Sequence, residues 1–261
     1  MTAGPRADLS EEAGRLLTEV AAAGVPARLI GGMAIRLLLG PRLDPIFERE
    51  IADLDFVCDS GAGSSLGKVL VAAGYLGDEQ FNALNGARRL LFVDPVHGRQ
   101  IDVFVGRFEM CHELPLAERI GVHQDTLPAA ELLMTKLQIV ELNRKDQRDA
   151  FALLDGAEVG AGDVAADGAP TIDATRIASL TSQDWGLQRT FDLNLERLRG
   201  SLEALELDPD RRAAIGTRVD RLAAAMDDAP KSRKWKLRAR IGERKQWYEE
   251  PEEVRRDPDI P

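Results

Sequence analysis

The sequence predicts a mixed α/β (α+β) fold for residues 1–155, a small mixed sheet flanked by helices, followed by a mainly helical domain over 171–248. Three observations carry this. Four strand-length apolar runs stand at 25–30, 53–59, 88–94 and 100–106, with segments of helical period at 33–39 and 63–73 between the first three. The first run breaks at Gly31-Gly32, where a helix follows directly. From 173 to 226 the helical period continues without a convincing strand.

Taken in order, SEEAGRLLTEVAAA (10–23) reads as a helix with Ser10 as N-cap and Glu11 and Glu12 in its first turn, where the dipole favours acids. Gly24 is its stop. Val25 to Ile30 is a buried strand, and MAIRLLL (33–39) is the helix beyond the glycines. Two prolines and several charges make 40–52 a loop. DLDFVCD (53–59) is the second strand, and 63–73 a helix ending before Gly74. RRLLFVD (88–94) and QIDVFVG (100–106) read as a hairpin through Pro95-Val96-His97-Gly98. Residues 128–154 give one or two helices beginning near Pro128. The Gly/Ala/Asp-rich stretch 156–170 reads as a linker, and 249–261, with six acids and three prolines, as a mobile acidic tail.

Composition narrows the class. The 261 residues are 44% hydrophobic and 30% charged, enough for a core and unlike collagenous, disulfide-stapled or disordered chains. No apolar run is long enough for a bilayer and the start lacks a secretory pattern, so a cytoplasmic protein without a membrane partner is expected. Cys58 and Cys111 suit a reducing compartment, and with His97, His112 and His123 they make no zinc spacing. The net charge of −10 argues against general nucleic-acid binding. Locally, KSRKWKLRARIGERK (231–245) sets eight basic residues against one acid. Two readings stay open there: an RNA-tracking element with Trp235, or an amphipathic helix whose Trp235 and Leu237 pack on the domain.

The chemistry concentrates in three places. Gly31 and Gly32 let an anion approach the main chain at a helix start. Asp53 and Asp55, two apart on a strand, share one side and can grip a hard cation. Asp102 interrupts the apolar run IDVFV, where an unpaired carboxylate would be costly to bury.

RLIGGMAIRLL, then ADLDFV, then QIDVFV resembles the nucleotidyltransferase superfamily, with its Gly-Gly turn, Asp-x-Asp and distant third Asp. The order is most similar to the abortive-infection type nucleotidyltransferase toxins, which add a Lys-bearing helix ending in Arg-Asp. Here that stretch is TKLQIVELNRKDQRDAFALL, with Lys136, Arg148 and Asp149. The likeness spans roughly 25–154. Arg49 stands four before the first Asp, as in that group, while Met33 and Ile51 occupy places where relatives carry Ser or Thr.

The resemblance implies a nucleotidyltransferase-like mixed sheet and a Mg²⁺-dependent transfer of NMP from an NTP to a hydroxyl acceptor: RNA or tRNA, protein or small molecule. Two Mg²⁺ ions on Asp53, Asp55 and Asp102 are expected, with Asp102 on the second ion and helping to deprotonate the acceptor. Gly31, Gly32, Arg49, Lys136 and Asp149 are the expected nucleotide-binding residues. A toxin with a cognate antitoxin is one member type. The alternative is a catalytically silent module that docks a protein or RNA. Asp146, Arg144, Lys145 and Arg148 read as a solvated helix face.

Overall fold

The computed structural model describes residues 4–250. Helix α1 spans Leu9–Ala22; its N-cap is Asp8, which accepts from Glu11 N at 2.9 Å, two residues before the expected Ser10. Strand β1 (Ala27–Ile30) runs into α2 (Gly31–Leu39), so the two glycines are the first helical residues rather than a turn preceding the helix. The loop to the next strand holds two 3-10 turns, Gly40–Arg42 and Pro45–Phe47. Strand β2 is Leu54–Cys58, and α3 is Gly63–Ala72. Strand β3 (Leu76–Gly77) and helix α4 (Glu79–Asn85) follow, neither evident from sequence. The hairpin strands are β4 (Arg89–Val93) and β5 (Gln100–Val105).

These strands form one mixed sheet in the order β1-β2-β5-β4-β3. Only β2 and β5 run parallel; every other pair is antiparallel. Beyond β1, the backbone of Asp125–Leu127 caps the edge: Leu29 N donates to Asp125 O and Leu127 N to Leu29 O. One face of the sheet is wholly apolar. Leu29, Leu54, Phe56, Cys58, Ile101 and Val103 are all buried there, and α3 packs on it through Gly63 against Val105 and Gly67 against Phe92. The opposite face carries Asp55, Arg89, Gln100 and Asp102, all half-buried.

A small antiparallel pair, β6 (Phe108–Glu109) and β7 (Glu113–Leu114), precedes α5 (Ala129–Leu137) and α6 (Arg144–Gly156). Every residue of α5 is buried, because α2, α6 and the helices of the C-terminal half surround it. The stretch expected as a linker contains β8 (Glu158–Gly160), which pairs in parallel with β9 (Thr171–Asp173). Then come α7 (Ala174–Thr181), α8 (Trp185–Ser201), α9 (Pro209–Asp228) and α10 (Arg233–Ile241). Buried side chains on either side of 156–170, from Ala13 to Met226, belong to one apolar core. Ladder pairing and this shared core hold the Gly/Ala-rich segment in place despite its composition.

In α10, Trp235 is half-buried and donates Nε1 to Gln188 Oε1 at 3.1 Å. Leu237 does not pack; it is 61% exposed. Of the acidic tail, Glu249 donates its N–H to Cys111 O at 3.0 Å, and residues 251–261 lie outside the described residues. No helix among the described residues is long and apolar enough to cross a membrane.

Candidate functional site

The sheet register assembles the site. β1 pairs Ile30 with Asp55, and β2 pairs Asp55 with Asp102, so both carboxylates and the end of β1 meet at one place on the open face. Asp53 lies just before β2, two residues from Asp55, and its Oδ1 accepts from Gln100 N at 3.3 Å. Asp55 and Asp102 therefore share one face of adjacent strands, with Asp53 beside them just outside β2.

Gly31 explains why α2 can begin there. Its φ is +72°, a region that side-chain-bearing residues rarely adopt, and a Cβ would stand 2.1 Å from Asp55 Oδ2. Only glycine lets the helix start against that carboxylate. The N-cap, Ile30, gives no side-chain hydrogen bond, so the first amides of α2 keep their donor capacity toward this side of the sheet. At Gly32 a Cβ would lie 2.5 Å from Arg49 Nη2, so the guanidinium rests against the helix start.

Arg49 grips Asp149 of α6 with Nε on Oδ1 and Nη2 on Oδ2, both at 2.8 Å. Lys136 Nζ lies 2.9 Å from Asp149 Oδ2 and 2.9 Å from Asp146 Oδ1. Burial pulls the lysine toward neutrality, but the two carboxylates outweigh it and hold its pKa above the usual lysine value. For Asp149 burial pushes upward and the Arg49 and Lys136 contacts prevail, keeping it below the usual range. Asp146 is therefore not part of a solvated face. It is half-buried and bound to Lys136, while Arg144, Lys145 and Arg148 are exposed. Arg49, Arg144, Lys145 and Arg148 line an open pocket of about 430 Å³.

The aspartates differ in their partners. Asp102 receives Arg89 Nε on Oδ1 at 2.7 Å, Arg89 Nη2 on Oδ2 at 2.9 Å and Gln100 Nε2 on Oδ2 at 3.1 Å. The Arg89 guanidinium is braced over the Phe104 ring, 5.2 Å from its centroid. Asp55 accepts no hydrogen bond among the described residues. Burial, and then the charges of Asp102 and Asp53, push its carboxyl up to about 7 against the pull of Lys136 and Arg89. Among the described residues, no group of three or more His, Cys, Asp and Glu side chains is arranged to hold a metal ion. The donors at Asp53 and Asp55 are nonetheless all oxygen, as a hard cation requires, and Asp55 has the character of a carboxylate short of positive charge. Asp102 does not, since both its oxygens are engaged by Arg89. That differs from the arrangement expected for two ions.

Sequence reading misses Arg89 and Asp146. Arg89 becomes visible only once β4 and β5 are set in register, with Arg89 opposite Phe104 and Leu91 opposite Asp102, so that Arg89 and Asp102 are diagonal neighbours on one face. Further off, a concavity of about 780 Å³ gathers all three tryptophans, Trp185, Trp235 and Trp247, beside Tyr248. No protein-family model matches this chain, and none of the curated proteins compared with it matches.

Proposed function

We propose that the chain is a Mg²⁺-dependent nucleotidyltransferase that moves a nucleoside monophosphate from an NTP to a hydroxyl acceptor. The observation that carries this reading is the uncapped start of α2, brought by Gly31 against Asp55 in register with Asp102. Anion donors and cation ligands then adjoin, which is what a metal-bound triphosphate needs. The mixed sheet, with parallel β2 and β5 carrying the acids, is compatible with a nucleotidyltransferase-like fold.

In this reading the amides of Gly31, Gly32 and Met33 bind phosphate oxygens, replacing the hydroxyl that Met33 lacks. Arg49 and Lys136 contribute positive charge while Asp149 and Asp146 fix where it lies. Asp55, with Asp53, would hold Mg²⁺, which when bound neutralises triphosphate charge. Asp102, immobilised by Arg89 and Gln100, orients the acceptor hydroxyl. The exposed Arg144, Lys145 and Arg148 extend the basic side of the pocket toward an anionic ligand. The acceptor, tRNA among the candidates, and any antitoxin partner belong to this proposal.

The test supplies each α-³²P-labelled NTP with Mg²⁺ and, separately, total tRNA, protein and aminoglycosides. Label should pass to one acceptor class, and Asp55→Asn should lower transfer by about 100-fold or more, the scale of losing a main electrostatic contributor. No label on any acceptor, together with no nucleotide-dependent rise in melting temperature, overturns the reading and leaves a binding module.

A further inference from the structure

Resting on that reading of the site, we propose that Arg89 is a built-in cation that occupies Asp102 in place of a second metal ion, so that the site loads one divalent cation, at Asp55.

The geometry is the argument. Both oxygens of Asp102 accept from one guanidinium, at 2.7 and 2.9 Å, in the two-pronged arrangement that matches a carboxylate edge. A magnesium ion bonds oxygen at about 2.0–2.1 Å and demands near-octahedral geometry, so it cannot share that edge with the fork in place. Arg89 is also not a loose surface side chain. Its side chain is 18% exposed, against 13% for Asp102, and the Phe104 ring lies beneath it. Strand register puts it there: β4 pairs Arg89 with Phe104, so its side chain rises on the face that holds Asp102. Gln100, on the same face of β5, donates to Oδ2 from the other direction and completes the enclosure.

The remaining cations near the aspartates are spoken for. Arg49 is bound to Asp149, and Lys136 to Asp146 and Asp149. Of the facing pair Asp55–Asp102, Asp55 accepts no hydrogen bond among the described residues, although it sits beside the α2 start. Charge is thus distributed unevenly. Asp102 is neutralised by a permanent, tethered cation, and Asp55 awaits an exchangeable one. An arginine never loses its proton at physiological pH, so this neutralisation does not depend on metal supply.

The test is titration of the full chain with Mn²⁺ alone, free ion being read by electron paramagnetic resonance. Wild type should bind one ion, and Asp55→Asn should lose it. Arg89→Gln frees the Asp102 carboxylate, and should bind a second ion or bind the first at least tenfold more tightly. Arg89→Lys, which keeps the charge, should stay at one. If Arg89→Gln does not fold, the double variant Arg89→Gln/Asp102→Asn leaves no lone charge and should retain one ion. Two ions bound to wild type, unchanged binding in Arg89→Gln, or loss of the ion in the double variant overturns the inference while the metal reading stands. No Mn²⁺ bound by wild type or any variant overturns both.

Discussion

Two carboxylates in this molecule, one buried and one half-buried, live opposite lives. Glu12 of α1 is fully buried and saturated: Arg15 donates to both its oxygens at 2.8 and 2.6 Å, Tyr75 Oη at 2.8 Å and Arg6 N at 2.9 Å. Burial pushes its pKa upward, but these donors win and hold it below the usual range. Asp55 is half-buried, accepts no hydrogen bond among the described residues, and is pushed up to about 7. A carboxylate whose donors are complete has a structural task. One left without donors, among like charges and against a helix start, is poised for a ligand.

The comparison can be broken most severely at Glu12. Glu12→Ala strands Arg15, whose side chain is 7% exposed, without its main partner. Breaking such a buried pair costs about 3–5 kcal/mol, so urea unfolding should lose that amount. Equal stability would show the cluster to be dispensable.

Asp55→Asn should act in the other direction. A carboxyl raised from its ordinary value of 3.8 to about 7 costs nothing below pH 3.8; the cost grows as the pH rises from 3.8 to 7 and is complete above that. The variant should therefore gain on the order of 2–4 kcal/mol over wild type at pH 8 and lose that advantage by pH 4. Parallel stability curves across that range would mean that Asp55 is already satisfied.

Gly31→Ala sharpens the same point through the backbone. With φ at +72° and the new methyl directed at Asp55 Oδ2, it should cost about 1–3 kcal/mol at neutral pH. In combination with Asp55→Asn the two effects should not add, because the groups touch. Additivity in a double-mutant cycle would place the strain elsewhere. Asp59→Asn sits at the small end. Asp59 is exposed just beyond β2, and its loss should change stability by less than about 0.5 kcal/mol and leave the proposed nucleotide transfer unaltered.

Much of this was legible in the sequence because it is local. Gly31-Gly32, the Asp53–Asp55 spacing and the break in IDVFV are each visible within a few residues, and the strands around them follow from apolar runs. What hid was set by register or by distant pairing. Arg89 and Asp102 are 13 residues apart and meet only because the hairpin connection fixes the offset. Asp146 looked solvated because its partner Lys136 reaches it from another helix. Asp8 displaced Ser10 as cap because two competent cappers lie two residues apart, and packing chooses between them. Strand β8 was obscured by a Gly/Ala-rich composition that only its pairing with β9 overrides.

The Arg49–Asp149 pair joins residues 100 apart in the chain, and the cap on the β1 edge joins Leu29 to Asp125. On a ribosome adding about 5–20 residues per second, Arg49 is made on the order of 5–20 s before its carboxylate exists. For roughly the first three quarters of that interval the outer edge of β1 lacks its cap, and Lys136, too, is still to come. A nascent chain therefore cannot close the cluster of Arg49, Lys136, Asp146 and Asp149 until α6 has cleared the exit tunnel.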